Sequence, residues 1–290
     1  MTTGLAVGAA LGSALCFAVA SVLQQRGASR APKGSGLHLS LLASLLARPM
    51  WLGGLVAAVG TVTLQALALA AGPLALVQPL LVCALLFALP ASVLLEKRRP
   101  SVVEWAWALL LVAGLAVFLR AAQPGTGPAL PRDGPLLLVG GVAAAVAVSA
   151  AAIGRGPGRR HRAVLLGLAT GIMYGLMASL IKYTVALARA EGWHLFLEWP
   201  VYALLVVGAG GIVLSQAAYQ AGPLAGALPP LIIADPIVAI IVAVWAFGEE
   251  LSTEAAAVTF EVIGISAMAL AIVRLAHLAS GRGSRAGGRP

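Results

Sequence analysis

The sequence has little charge, little cysteine and little histidine. Only 10% of its 290 residues are Asp, Glu, Lys or Arg, whereas about a quarter are charged in a soluble domain. The two cysteines, Cys16 and Cys83, lie in separate long apolar stretches, and the four histidines do not cluster. No nucleotide-binding loop or nucleophile elbow is present. These absences argue against a water-soluble enzyme, a disulfide scaffold and a structural metal centre.

Apolar residues, in contrast, make up 60% of the chain, and they fall into nine long runs. A helix of about 20 apolar residues spans the roughly 30 Å core of a bilayer. We therefore predict an all-α polytopic membrane protein with nine transmembrane helices, at about 4–24, 51–71, 73–95, 103–121, 135–153, 163–187, 200–220, 223–247 and 255–277. Residues 1–278 should form one transmembrane domain, and 279–290 a disordered basic tail.

The segment 37–47 leaves a tenth span open. It would be about 16 Å long as a helix, which is short for a bilayer. Its polar residues His38, Ser40 and Ser44 fall broadly on one side, so we interpret it as an interfacial helix.

Basic residues indicate the orientation, because Lys and Arg collect in cytoplasmic loops. With nine spans, four basic residues fall on one side: Arg120, Arg132, Lys182 and Arg189. The other fifteen fall on the opposite side, in the 24–50, 96–100 and 154–162 loops, at the end of span 9 and after it. We therefore predict a multi-pass plasma-membrane protein with its amino terminus outside and its carboxyl terminus in the cytoplasm. The basic loops should contact anionic lipids rather than nucleic acid.

The sequence contains an internal repeat. AAGPLALVQPLL at 70–81 aligns with QAGPLAGALPPL at 220–231, and Gln65 lies opposite the Ser215-Gln216 pair. Spans 1–4, at about 4–121, thus correspond to spans 6–9, at about 163–277, with span 5 at 135–153 as a connector. A displacement of five helices inverts the second copy. Inverted-topology repeats are typical of secondary transporters.

These residues resemble the drug/metabolite transporter (EamA-like) superfamily, and most closely its NIPA-type magnesium transporter family. The resemblance is carried by the turn into span 3, by span 6 with its lysine, and by the start of span 2: Trp51, Gly54, Gly60, Gln65, Pro73, Leu76, Val77, Pro79, Leu80 and 170–184. It implies transport by alternating access, and for the NIPA-type family transport of Mg²⁺.

Asp235 is the only acid near the centre of a span. An ionised carboxylate there costs about 3 kcal/mol on insertion scales, so we expect Asp235 to exchange a proton or bind a cation, and it is the one candidate for a metal ligand. The alternative is that a neighbouring hydroxyl holds Asp235 protonated in a structural hydrogen bond. Pro229, Pro230 and Pro236 should break span 8 and free backbone carbonyls beside it, as Pro79 should in span 3. Glu261, about two turns into span 9, is the next acid to consider.

Other polar residues within apolar helices are candidates for contacting a substrate or coupling ion. They are Gln65, Gln78, Gln216, Tyr174, Ser179 and Lys182. Interhelical hydrogen bonding is an equally good explanation for the glutamines. Lys182 is either a gate, a partner of Asp235 or a lysine that extends to the interface.

The function that these features favour is secondary transport of a small solute or cation, such as Mg²⁺, a metabolite or an organic cation, coupled to an ion gradient. The alternative is a membrane scaffold or accessory subunit without transport. An enzyme is not expected, and no cofactor is indicated. The expected partners are the substrate and membrane lipids, and a homodimer stays open.

Overall fold

The fold is described from a computed structural model, which covers residues 2–29, 49–87, 101–128, 130–154, 159–221 and 224–286. These residues form nine α-helices and no strand. The helices are α1 (Thr2–Ser29), α2 (Pro49–Ala71), α3 (Leu74–Leu81), α4 (Val102–Ala122), α5 (Asp133–Ile153), α6 (Arg159–Glu191), α7 (Trp199–Ala221), α8 (Leu224–Trp245) and α9 (Ala255–Ala286). A 3₁₀ turn, Gly192–Leu197, joins α6 to α7.

The all-helical polytopic architecture predicted from the apolar runs is confirmed. Eight of the described helices are long and apolar enough to cross a membrane, and the ninth, within Leu74–Phe87, is shorter. The predicted span 3 continues to residue 95, and the predicted interfacial segment 37–47 follows α1; 88–95 and 37–47 lie outside the described residues. Helix α9 reaches Ala286, so part of the segment predicted as a disordered tail is helical.

Helices α1 and α2 run antiparallel. The Gln24 side chain donates to the Gly54 carbonyl, and the Ser13 side chain donates to the Thr61 carbonyl. Higher residue numbers on α1 therefore lie beside lower residue numbers on α2. Gly72, just beyond α2, lies against Ala6 near the start of α1. The hairpin α6–α7 has the same sense, because Met177 contacts Gly208 and Met173 contacts Gly210.

The ends of the bundle can be named from these contacts. The Glu249 end is where α2, α6 and α8 finish and α3, α5 and α9 begin. It is joined by hydrogen bonds from the Arg189 side chain to the Ala70 carbonyl and from Tyr183 to Asp133. The Trp51 end is where α2, α6 and α8 begin. Between the two ends, α6 is the most buried of the long helices.

The prolines do not act alike in the two helices that they were predicted to break. Helix α3 ends at Leu81, two residues after Pro79, and 82–83 form a turn with short-range hydrogen bonds from Val82 to the Pro79 carbonyl and from Cys83 to the Leu80 carbonyl. Helix α8 instead runs unbroken from Leu224 to Trp245 through Pro229, Pro230 and Pro236. The predicted interruption therefore occurs in span 3 only.

A glycine stripe sets the spacing between α6 and α8. A Cβ atom at Gly167 would lie 2.3 Å from the Ala227 carbonyl oxygen, one at Gly171 would lie 2.3 Å from that of Leu231, and one at Gly175 would lie 2.6 Å from that of Asp235. These distances are too short for any side chain, so the two backbones touch only because the residues are glycine. Gly8 on α1 has nothing within 4 Å and takes no part in such packing.

We predict that Gly171→Ala destabilises the bundle and that Gly8→Ala does not. The added methyl at Gly171 must separate α6 from α8, at a cost of about 1–3 kcal/mol, whereas at Gly8 it fills open space and favours the helix. Thermal unfolding of the purified variants in one detergent should show a lower Tm for Gly171→Ala alone. Equal Tm values would show that the two helices are not held at this distance.

Candidate substrate cavity

A cavity of about 340 Å³ lies among six helices. Helices α1, α2 and α3 form one side of it, and α6, α7 and α8 form the other. Its lining starts near the middle of the bundle, at Gln65 and Asp235, and reaches Gln24, Trp51 and Tyr219 close to the Trp51 end. The volume is within the range of small-molecule sites, about 300–1,000 Å³.

Asp235 lines this cavity from the middle of α8. Its Oδ1 atom is buried and has no hydrogen-bond partner. Pro236 follows it and has no amide hydrogen, so the carbonyl of Ile232, another lining residue, loses its usual helical donor. A carboxylate oxygen without a partner is expensive inside a membrane protein, which makes Asp235 the strongest candidate for contact with a charged ligand.

The three predicted glutamines meet in the same cavity, from three different helices: Gln65 on α2, Gln78 on α3 and Gln216 on α7. Neither amide atom of the Gln78 side chain has a partner. Gln216 donates to Gln24 Oε1 at 3.2 Å, while its own Oε1 has none. Buried amide atoms are normally paired, so Gln78 and Gln216 leave hydrogen-bonding capacity for a ligand.

Tyr174 also lines the cavity, opposite Phe17, and the two rings meet edge to face with centroids 6.5 Å apart. Trp51, whose Nε1 is buried and unpaired, and Tyr219 add aromatic surface nearer the Trp51 end. From the sequence, Trp51 marked only the start of span 2, and Tyr219 and Gln24 were not among the candidate site residues. Tyr219 and Gln24 reach the cavity because α7 and α1, which carry them, pack against each other.

Two predicted residues are not among those that line the cavity. Ser179 is buried and donates to the Gly175 carbonyl one turn back, which satisfies its hydroxyl within α6. Lys182 forms an ion pair with Glu249, and its ammonium lies 4.7 Å from the centre of the Phe247 ring. Of the three alternatives for Lys182, pairing with Asp235 does not occur, because Glu249 holds the lysine at the Glu249 end.

Glu249 is the residue whose role the sequence did not reveal. Its carboxylate is fully buried; Oε1 accepts from the Leu74 amide at 2.7 Å and Oε2 from the Ala75 amide at 2.8 Å. Gly248 has a φ of +58°, the left-handed turn that brings the carboxylate back from α8 to the start of α3. We refer to Glu249, Lys182, Phe247 and the Leu74 and Ala75 amides as the Glu249 network.

A signal for this network was present in the sequence. Helix α3 opens with Gly72-Pro73, and Pro73 as N-cap offers no side-chain acceptor. The first amides of a helix need an acceptor when they are buried, and an anion is favoured at that helix end. The short acidic segment after span 8 supplies it, although only the fold shows that the two are adjacent.

Glu261 lies outside the cavity. It is partly buried on α9, and its Oε1 has no partner. Within the described residues, no group of three or more His, Cys, Asp or Glu side chains is placed to hold a metal ion. The chemistry that the cavity offers is therefore one carboxylate, several amides and aromatic rings.

We predict that Glu249→Gln destabilises the protein far more than Glu250→Gln. The first change leaves Lys182, whose side chain is only 12% exposed, without its partner, and breaking a buried pair costs about 3–5 kcal/mol. Glu250 is exposed, so its neutralisation is a matched control. Thermal unfolding should also show that Lys182→Met restores part of the loss in the Glu249→Gln background; additive losses would contradict a direct pairing.

Comparison with known proteins finds a relative in Corynebacterium glutamicum, described as an uncharacterized protein. It is 36% identical over 250 residues, which cover 85% of this chain and 86% of the relative. No family model matches the chain, and no solved structure matches it. The similarity therefore covers most of the length of both chains.

Proposed function

The chain belongs to the same family as the Corynebacterium glutamicum protein, and we propose that it is a secondary transporter that moves a small solute or cation across the plasma membrane. The observation that carries the proposal is the cavity with its unpaired polar atoms, on Asp235, Gln78 and Gln216. A scaffold gains nothing from leaving these atoms unsatisfied. A transporter needs them for a ligand that binds and leaves.

The arrangement of the helices supports two inverted repeats, α1–α4 and α6–α9, as in the drug/metabolite transporter superfamily. Each half contributes its first three helices to the cavity. Each half also begins with an antiparallel hairpin, α1–α2 or α6–α7. The equivalent helices α4 and α9 pack directly at Gly114 and Gly264. These contacts suit two halves that rock against each other around a central site.

The two ends of the bundle differ in a way that supports alternating access. The lining of the cavity reaches the Trp51 end, whereas the Glu249 network joins α3, α6 and the end of α8 at the other end. We infer a state that is closed at the Glu249 end. With the basic residues in the cytoplasm, the Trp51 end is cytoplasmic and the state faces inward.

In this proposal Asp235 couples transport to a gradient. A carboxylate with an unpaired buried oxygen is costly in a membrane, so Asp235 should hold a proton or a cation in each occluded state. Opening the cavity towards water lowers the cost of ionisation and allows release. Because the site has a single carboxylate, it can bind either the coupling ion or a cationic substrate, but not both at once. Exchange of one for the other links the flux of the ion to the flux of the substrate.

The orientation has its own test. A reporter fused after Pro290, or inserted near Arg159, should be cytoplasmic, and one at Thr2 should be extracellular. The reason is the excess of Lys and Arg in the loops at the Trp51 end. A cytoplasmic Thr2 reporter would favour ten spans, and an external carboxyl terminus would reverse the assignment.

We predict that Asp235→Asn abolishes gradient-driven uptake while expression and Tm stay close to wild type. Asparagine keeps the shape of the side chain but cannot ionise. The measurement is uptake into proteoliposomes with imposed proton or Na⁺ gradients, screening Mg²⁺, amino acids and organic cations. Glu261→Gln, which also removes a membrane acid but outside the cavity, is the control and should transport normally.

Two results would contradict the proposal. If folded wild-type protein moves none of the three substrate classes, a scaffold or accessory subunit is favoured instead. If Asp235→Asn transports at the wild-type rate under every gradient, the carboxylate is structural and coupling depends on another group, with Glu261 the next to test.

A further inference from the structure

We infer that the cavity takes an organic monocation, a protonated amine with an aromatic or apolar body; this rests on the proposed function, because it assumes that the cavity is the substrate site. The inference comes from three properties of the lining: its net charge, its surface chemistry and its unpaired acceptor atoms.

The side chains that line the cavity carry a single negative charge. Asp235 is the only charged residue among the described residues that line the cavity. Lys182, the nearby base, is held by Glu249 at the Glu249 end. A single negative charge in a low-dielectric site is best balanced by a single positive charge. An anionic ligand would meet repulsion from Asp235 and no cation.

A divalent metal ion fits the lining less well. Mg²⁺ binds oxygen ligands in octahedral geometry and keeps several waters. The single carboxylate of Asp235 would neutralise only one of the two positive charges of Mg²⁺. The hydrated ion would also contact apolar side chains such as Leu55, Val62 and Leu231. The space of about 340 Å³ suits an organic body of moderate size.

The surface of the cavity favours a ligand with an aromatic or apolar part. Phe17 and Tyr174 present rings beside Asp235's helix, and Trp51 and Tyr219 present rings farther along. Met177 adds a polarisable thioether. Aromatic faces attract cations as well as apolar groups, and methionine adapts to ligands of different shape.

The unpaired atoms favour a ligand that donates hydrogen bonds. Asp235 Oδ1, Gln78 Oε1 and Gln216 Oε1 are acceptors without a partner, and they outnumber the two unpaired donors of the lining, Gln78 Nε2 and Trp51 Nε1. A protonated primary amine brings three N–H donors and the positive charge in one group. A quaternary ammonium brings the charge alone and would leave these acceptors unsatisfied. We therefore assign the site to an N–H-bearing ammonium.

The test compares three ligands of matched shape on the full-length protein in nanodiscs near neutral pH: 2-phenylethylammonium, neutral 2-phenylethanol and anionic 3-phenylpropionate. MgCl₂ is added as a competitor. Isothermal titration should show the ammonium binding at least tenfold more tightly than the alcohol, no binding of the anion, and no displacement by Mg²⁺ at equal ionic strength.

Variants link the preference to the site. Asp235→Asn should reduce the preference for ammonium over alcohol to less than threefold, and Glu261→Gln should leave it unchanged. Gln78→Leu should weaken ammonium binding more than alcohol binding. The Tm of each variant, measured in the same nanodiscs, separates loss of binding from loss of folding.

Several results would overturn the inference. They are equal or tighter binding of the alcohol or the anion, displacement by Mg²⁺, absence of ammonium binding to folded wild-type protein, or a preference that survives Asp235→Asn. Uptake of Mg²⁺ or an amino acid without ammonium binding would overturn this inference and leave the proposed transporter standing. Ammonium binding without uptake of any substrate class would support this inference and contradict the proposed transporter.

Discussion

The packing of the helices at the Glu249 end depends on the contacts of one fully buried carboxylate, that of Glu249. It accepts hydrogen bonds from the first two backbone amides of α3 and forms an ion pair with Lys182 of α6. Three separate segments thus meet at one side chain, and two of them, α3 and α6, also line the cavity. A charge in this position is stable only while all its partners stay in place. Moving α3 away from α6 must therefore break the network as a unit.

Asp235, the acid that lines the cavity, is in the opposite situation. Glu249 has three partners, whereas Asp235 leaves Oδ1 without one. The contacts of Glu249 stabilise one packing of the helices. Asp235, in contrast, keeps an acceptor atom that no protein group pairs with and that a ligand can use. In the proposed transporter, closure at the Glu249 end and ligand binding at Asp235 would be linked through α3, α6 and α8, which contribute to both.

Much of the fold could be predicted from composition, because a bilayer requires long apolar helices and the sequence has nine runs of that kind. Helix breaks were harder. Pro79 is followed by a turn, yet Pro229, Pro230 and Pro236 sit in an unbroken helix, since neighbouring helices can satisfy or shield the freed carbonyls.

The cavity was predictable in part. Polar residues in apolar helices usually face the interior, and this principle located Asp235, Gln78, Gln216, Gln65 and Tyr174 in one cavity. Ser179 and Lys182 also face the interior, but they do not line the cavity: the Ser179 hydroxyl donates within its own helix, and Lys182 pairs with Glu249 beyond the end of α8. Glu249 was missed because its partners are the amides of a helix 175 positions away in sequence.

The most direct test of alternating access measures both ends of the bundle at once. Spin labels at Gln123 and Glu191, near the Glu249 end, and at Leu52 and Val164, near the Trp51 end, sit at exposed positions; Cys16 and Cys83 are replaced by alanine. Double electron–electron resonance should show that Glu249→Gln lengthens the first distance and shortens the second, while Glu250→Gln changes neither. Two distances that stay constant, or that change in the same direction, would contradict the account.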